Sequence, residues 1–466
     1  MDSHRFRLRL GYAVLCAAFG AIQPLDAQQR DRAALIAAID SIVMEPVDSG
    51  KVAGISVAVV RGADTLRIKG YGYADLEFEV PTPDDAVYEI GSVTKQFTAA
   101  AVLQLQEQGL LSLDDELTKY LPDYPTQGHR ITIRRLLDHT SGIKGYTEMP
   151  VFWRTMVSRR LPRDSLVALF AAEPFDFAPG EAMIYNNSAY FLLGLVIEKA
   201  SGQPYEEYIA EHLFKPAGMT RSLYCSKRAL IKHRAKGYQF GNQGPTNAPF
   251  LDHTWPYAAG SICSTAGDLV AWVRAVHGHG DGGDLLSEDA YRQLITPDTL
   301  NDGTRLRYAK GLTVAEIRGR RQIAHGGGIF GYVTDLRYYP DDDLIIAVLI
   351  NGGSVSPASI AAAIEQLILR EWEEPAGRSF AGDLEQFTGT YKGPGRGREF
   401  TATVALDSAG LTLKVGNRDA QDLSYVDGLT FSAGTSLYTF VREGREITGL
   451  RADQIGGYYI LRKTGS

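Results

Sequence analysis

Ser92-Val93-Thr94-Lys95 opens an apolar run that continues through Phe97, Ala99, Ala100, Ala101, Val102 and Leu103. The run predicts a helix from Thr94 to Gln108. A serine and a lysine three residues apart on a helix lie one turn apart on the same face. The lysine amine can therefore reach the serine hydroxyl, which unaided is a poor nucleophile near neutrality. The plain alternative is a capped helix start with a solvated lysine. A second copy of the spacing, Ser141-Gly142-Ile143-Lys144, has Gly142 directly after the serine and Gly145 directly after the lysine. That copy reads as a loop and is not expected to hold both side chains on a helix face.

Two further stretches give the first one its meaning. Tyr185 and Asn187 form a Y-x-N sequence just before a helix expected over Ser188 to Ala200. As a plain structural element, Asn186-Asn187-Ser188 is good capping chemistry. His325-Gly326-Gly327-Gly328 follows a strand expected over Arg321 to Ala324. Glycines there suit a corner, or a strand whose backbone another group must approach closely. Gly326-Gly327-Gly328-Ile329-Phe330-Gly331 also matches G-x-G-x-x-G. A dinucleotide site needs a helix after the motif, and Tyr332 to Tyr339 alternates as a strand instead.

Ser92/Lys95, Tyr185/Asn187 and His325/Gly327 together resemble the three motifs of the penicillin-recognising serine hydrolases. The likeness is to the class C β-lactamase-related branch, which includes D-alanyl-D-alanine carboxypeptidases, D-aminopeptidases and esterases. Leu136-Leu137-Asp138-His139-Thr140-Ser141-Gly142 and Lys215-Pro216-Ala217-Gly218-Met219 support it, and it extends over residues 30 to 370. S-x-x-K is a signature of this acyl-transfer chemistry.

The resemblance implies that Ser92 attacks a carbonyl and carries an acyl group, with Lys95 and Tyr185 sharing the proton transfer. For Tyr185 to act as a base, its pKa must fall far below the free value of about 10. A cationic Lys95 and the helix N-terminus are expected to favour that phenolate. By the same resemblance, Asn187 would bond Lys95 and the substrate amide. The backbone N–H groups of Ser92 and Gly328 would bind the oxyanion, with Gly327 and His325 lining the substrate strand. Many β-lactamases of the family carry lysine where this chain has His325. Histidine is only partly charged near neutrality, so the peptidase and esterase readings are favoured over efficient penicillin hydrolysis. The chain has no G-x-S-x-G elbow, which leaves an α/β-hydrolase unsupported. The expected protein is a serine hydrolase acting on a D-amino-acid peptide, with peptidoglycan-derived peptides first in line, or on a small ester. Its alternatives are a class C-like β-lactamase and a penicillin-binding sensor with little turnover. No metal or organic cofactor is required.

The 466 residues suggest two or three domains, and 44% hydrophobic with 22% charged residues is ordinary globular composition. A net charge of -7 argues against nucleic acid as a partner. The N-terminus reads as a secretory signal: His4, Arg5, Arg7 and Arg9, then apolar Leu10 to Ile22, then Leu25-Asp26-Ala27. The apolar part is too short to span a bilayer, so a secreted or periplasmic protein with no membrane span in its mature form is expected. Cys16 leaves with the signal. For Cys225 and Cys263 the spacing admits either a disulfide or two buried thiols. His277-Gly278-His279-Gly280-Asp281 reads as a surface turn rather than a metal site, since zinc needs three or four convergent ligands. His139 reads as a structural hydrogen-bonder. Nothing in the sequence speaks to oligomeric state.

The order of elements predicts an α+β fold. A helix over Asp31 to Met44 and a hairpin of Ile55–Val60 and Thr65–Ile68 come first. A mostly helical insertion runs to about residue 300. Strands at Gly311–Ile317, Arg321–Ala324, Tyr332–Tyr339 and Leu344–Ile350 and a helix over Ser356–Trp372 then return. The two ends are expected to build one antiparallel sheet flanked by helices, with the insertion as a helical lobe. The expected boundaries are a signal at 1–27, a hydrolase domain at 28–372, a linker at 373–379 and a small all-β, barrel-like domain at 380–466. Alternating runs such as Phe400–Val404 and Leu411–Val415 mark that last domain.

Overall fold

The computed structural model describes residues 25–153, 157–278, 285–369, 379–454 and 456–465. The signal reading falls on residues outside this set, apart from Leu25-Asp26-Ala27. The linker reading does so apart from residue 379.

The two ends of the catalytic part do meet in one antiparallel sheet. Helix α1 (Leu25–Asp48) leads into β1 (Gly54–Arg61), β2 (Asp64–Asp75) and β3 (Val80–Pro81). After the insertion come β4 (Thr313–Ile317), β5 (Arg320–Ile329), β6 (Tyr332–Tyr339) and β7 (Leu344–Ile350). The sheet order is β4-β5-β6-β7-β1-β2-β3. β1 and β7 lie side by side with Val57 opposite Val348 and Val59 opposite Ile346.

Period-2 alternation assigns their side chains to two cores. Ile55, Val57, Val59, Ile346, Val348 and Ile350 pack with α1 and with the C-terminal helix Pro357–Ile368. Ala58, Val60, Ile345, Ala347 and Leu349 face the larger core of the helical lobe. Burial on both faces is why Leu344–Ile350 reads as an unbroken apolar run. Helix α2 (Thr94–Glu107) is buried from Thr94 through Leu103, so it is a central core helix rather than an amphipathic surface one. Phe97 stacks on Trp272 of the helix Ala266–His277, with ring centres 3.9 Å apart.

Several boundaries moved. The strand expected to stop at Ala324 continues through His325 and the three glycines to Ile329, so the glycine run is strand and not corner. In the lobe, the short helix Tyr205–Ile209 runs on into a π-turn at Ala210–Phe214. Cys225 and Cys263 form a disulfide, which resolves the open choice. Cys263 lies on the strand Ile262–Ser264, which pairs with Tyr88–Glu89 just ahead of the Ser92 turn. Glu89 is buried there against Lys227, Arg234 and His253.

The C-terminal part is a nearly closed all-β barrel. Its strands are β8 (Gly389–Pro394), β9 (Glu399–Leu406), β10 (Leu411–Val415), β11 (Gln421–Asp422), β12 (Ser424–Asp427), β13 (Thr430–Ala433), β14 (Ser436–Glu443), β15 (Glu446–Gln454) and β16 (Gly457–Gly465). They run in the order β11-β10-β9-β8-β16-β15-β14-β13-β12 around a core that includes Phe387, Tyr391, Phe431 and Phe440. The barrel is not a loose appendage. β16 pairs with Met183–Ile184, placing Gly457 opposite Ile184 and Tyr458 opposite Met183. Ion pairs of Arg307 with Asp453 and of Arg451 with Asp302 tie the same face.

Burial would raise the Glu89 carboxyl, but His253 and Lys227 overcome it and hold the group down at about 2. A carboxylate depressed on folding stabilises the fold above its ordinary pKa, and that stability is lost as pH falls through the folded value. Between pH 4.5 and about 2 the contribution, on the order of 3 kcal/mol, should disappear. Urea unfolding should therefore find Glu89→Gln less stable than wild type at pH 7, with the gap closing toward pH 2. A gap independent of pH would contradict this.

Candidate active site

Ser92 sits in the 3-10 turn Gly91–Val93 that runs directly into α2, so it shares the helix entry with Lys95. Gly91 takes φ +53 there, a left-handed value that suits glycine. A Cβ on Gly91 would stand 2.8 Å from the Gly328 nitrogen, and one on Gly327 would stand 2.0 Å from the Ile90 carbonyl oxygen. The absence of side chains at these positions is what lets β5 press its backbone against the Ser92 turn. The N–H groups of Ser92 and Gly328 are thereby brought to the same wall of the cleft.

Lys95 is fully buried. Its Nζ lies 2.8 Å from Asn187 Oδ1, 2.8 Å from the Ala259 carbonyl oxygen and 3.3 Å from Ser92 Oγ. Burial, and then the charge of Arg396, push its pKa well below the ordinary lysine value. A neutral amine has two hydrogens and one lone pair. The Asn187 and Ala259 oxygens can only accept, so they take both hydrogens. The lone pair is left for the hydroxyl hydrogen of Ser92.

Tyr185 follows the two-residue strand Met183–Ile184, and Asn187 opens the helix Asn187–Ser201. Asn186 caps that helix by accepting from Ala189 N–H. His139, with φ +61, fixes the segment from the other side. Its carbonyl oxygen accepts from Ile184 N–H and its Nδ1 accepts from Asn186 N–H. His139 is thus a structural clamp on Tyr185, and its ring centre lies 4.4 Å from that of Tyr185. Burial drives the Tyr185 pKa far above its ordinary value, with Ser92 and the Arg396 charge offsetting this only in part. This corrects the expectation of a phenolate beside a cationic lysine: both groups are buried, and burial favours the neutral form of each.

His325 is buried on β5. Its Nδ1 lies 2.6 Å from the Gly326 carbonyl oxygen, so Nδ1 is the donor, and Nε2 accepts from Tyr308 Oη at 3.1 Å. Burial pushes its pKa down to about 3. The imidazole is therefore neutral near pH 7, not partly charged.

Ser92, Tyr185, Asn187, His325, Gly327 and Gly328 all line one cleft of about 950 Å³. Lys95 lies beneath its floor. The other candidates fall elsewhere. The second S-x-x-K copy has Lys144 paired with Asp176 at 2.6 Å, and Ser141 Oγ is buried without a hydrogen-bond partner. Gly331 leads into strand β6, so no helix follows the glycine motif. His277 is buried and contacts Tyr291, while His279 to Asp284 lie outside the described residues. Sequence reasoning missed Tyr308, Thr147, the Ala259 carbonyl, an aromatic wall of Phe152, Trp153 and Phe330, and Arg396 from the barrel. Only Arg396 had a local signal, the Gly-Pro-Gly-Arg-Gly-Arg turn at 393–398.

A serine, a buried lysine, a tyrosine and an asparagine converging on glycine-strand N–H groups are the working parts of an acyl-transfer site. The Beta-lactamase family model matches residues 39–369, and the chain belongs to that family. Among curated proteins, it is similar to penicillin-binding protein 4* of Bacillus subtilis (strain 168), at 30% identity over 314 residues. That alignment covers 64% of this chain and 67% of the relative. Several other curated relatives are covered to 62% of their length. The structure resembles the octameric penicillin-binding protein homologue from Pyrococcus abyssi, with TM-score 0.63 and 25% identity over 92% of this chain and all of that one. It also resembles a D-stereospecific amidohydrolase from a Streptomyces species, with TM-score 0.61 and 27% identity over 71% of this chain and 97% of that one. This chain is a serine hydrolase of the β-lactamase and penicillin-binding-protein kind.

Gly327→Ala forces a methyl into the Ile90 carbonyl, so β5 must withdraw from the Ser92 turn. Turnover of an activated aryl ester should fall by about a hundredfold or more, the usual cost of losing an oxyanion donor. Circular dichroism should remain that of wild type. Full activity in this variant would contradict the close approach.

Proposed function

We propose that this protein cleaves an amide or ester through an acyl-enzyme on Ser92, and that neutral Lys95 is the first base. The observation that carries the reading is the Lys95 amine held by two acceptors with Ser92 as its third neighbour. The Ser92 hydroxyl proton passes to Lys95 Nζ as Oγ bonds the substrate carbonyl carbon. The N–H groups of Ser92 and Gly328 bind the oxygen that becomes negative. Tyr185, protonated at rest, gives its proton to the departing amine or alkoxide as the carbon–leaving-group bond breaks. Lys95 restores the proton to Tyr185. Water then repeats the sequence in reverse on the acyl group. Asn187 orients Lys95 and offers its amide to the substrate. No step calls for a metal or organic cofactor.

The substrate class is a D-amino-acid peptide or amide, with small esters second. The named chemistry of the Streptomyces amidohydrolase and the penicillin-binding relatives supports it. A neutral His325 supports the peptidase and esterase readings over a β-lactamase, because β5 then offers no cation to a β-lactam carboxylate. The protein acts outside the cytoplasm: the signal-like N-terminus and the Cys225–Cys263 disulfide both fit an oxidising compartment. Its parts are a signal at 1–27, a hydrolase domain at 28–372, a linker at 373–379 and the barrel at 380–466.

The test sets wild type beside Ser92→Ala, with benzylpenicillin read by intact mass and with a peptide ending in D-alanyl-D-alanine against its L,L isomer. Wild type should gain a stable penicillin mass and release D-alanine from the D,D peptide alone. Ser92→Ala should do neither. Consumption of penicillin without an adduct would favour the β-lactamase reading, and cleavage by Ser92→Ala would refute the mechanism.

A further inference from the structure

The barrel supplies one charged side chain to the cleft, Arg396, from the turn between β8 and β9. Its guanidinium carbon lies 5.1 Å from the centre of the Tyr185 ring. The other charged residues lining the cleft, Asp335 and Arg337, are paired with each other at 2.6 Å. Lys95 is buried beneath the cleft floor, and the buried His325 imidazole is neutral near pH 7. The glycines of β5 add no side-chain donor. The cation left to face the cleft is therefore Arg396, itself paired through Nε with Glu148.

Its position is set from the centre of the site outward. Lys95 Nζ donates to Asn187 Oδ1, and Asn187 Nδ2 donates to Thr147 Oγ1 at 3.1 Å. The Thr147 hydroxyl donates to Glu148 Oε1 at 2.9 Å, and Arg396 Nε donates to the same oxygen at 2.7 Å. Donation thus runs outward from Lys95 to Glu148, and Arg396 donates inward to the same carboxylate oxygen. Gly397 lets the turn come this close: it takes φ +68, and a Cβ there would stand 2.6 Å from the Glu148 Cβ. Arg396 is thus held by one edge. Among the described residues its two Nη groups have no hydrogen-bond partner, and its side chain is 41% exposed. Arg396 also lines an adjoining hollow of about 810 Å³ in the barrel, so the approach to it is open on two sides. The free edge of a guanidinium matches a carboxylate with two parallel hydrogen bonds.

We propose that Arg396 is a specificity residue that the barrel contributes to the catalytic cleft, binding a carboxylate on the substrate's leaving group. The assignment to the leaving-group side rests on the reading that Tyr185 protonates the leaving group, since Arg396 lies over the ring of Tyr185. Phe152, Trp153 and Phe330 give the same cleft an apolar wall, which suits the acyl portion. The barrel thereby does in this chain what a cation on β5 would otherwise do.

The test compares two esters with one acyl group, 3-carboxyphenyl and 3-carbamoylphenyl phenylacetylglycinate. They differ only in the charge of the leaving group. For wild type, kcat/KM should favour the carboxylate ester by about tenfold or more, the scale of hydrogen bonds to charged groups. Arg396→Ala should bring that ratio close to one, and Arg396→Lys should retain part of it. Because both esters are measured on one preparation, the ratio is insensitive to how much of a variant is folded. Equal rates for the two esters in wild type, or a ratio unchanged in Arg396→Ala, would overturn the proposal while ester turnover left the Ser92 reading standing. Turnover of neither ester, with no labelling of Ser92, would refute that reading and the role of Arg396 with it.

Discussion

A lysine amine without a water shell is the constraint on which this site depends. Burying an ammonium is costly unless an anion accompanies it, and among the described residues no carboxylate bonds Lys95. Burial accordingly holds its pKa well below the ordinary lysine value, which favours the neutral amine. Two fixed acceptors then consume its hydrogens, and its lone pair is directed at Ser92. Ordinary lysines are protonated at neutral pH and cannot take a proton. In the proposed mechanism the fold makes this one a base by denying it solvent and leaving Ser92 as its third neighbour.

The rest of the structure serves that arrangement. A sheet buried on both faces fixes β5, and α2 lies wholly inside the core, so the serine turn and the glycine strand meet at a set distance. The Tyr185 segment is gripped by His139 on one side and by β16 of the barrel on the other. A chain of hydrogen bonds runs from Lys95 through Asn187, Thr147 and Glu148 to Arg396. Catalytic part and barrel therefore share one polar network. Removal of the barrel would strip a cation from the cleft and a pairing strand from Met183–Ile184.

Much of this was legible in the sequence. Short-range rules found the helix after Ser92, because its apolar run and the serine–lysine spacing are local. Short apolar or alternating runs between turn residues found β1, β6, β7 and the barrel strands β9 and β10. Local order also separated the working S-x-x-K from its copy at Ser141, where glycines break the helix. What escaped were facts of long-range packing. Gly326–Gly328 read as either a corner or a closely approached strand, and only packing against the Ser92 turn, which requires bare backbone there, decides for the strand. The ionisation of Tyr185 and His325 was misjudged because spacing carries no information on burial. Arg396 lies more than 200 residues beyond Ser92, Lys95, Tyr185 and Asn187, and only the docking of the barrel brings it to Tyr185.

The most direct test of the neutral lysine is the pH dependence of Ser92 labelling by an uncharged fluorophosphonate, followed by intact mass. The reagent does not titrate, so the profile reports the enzyme alone. With Lys95 already unprotonated, the rate should be level across about pH 7 to 9 and fall only toward acid, through a pKa well below the lysine value of 10.5. A rate that climbs steadily to about pH 10.5 would mean that Lys95 titrates as an ordinary ammonium. That result would contradict activation of Ser92 by a neutral, buried amine.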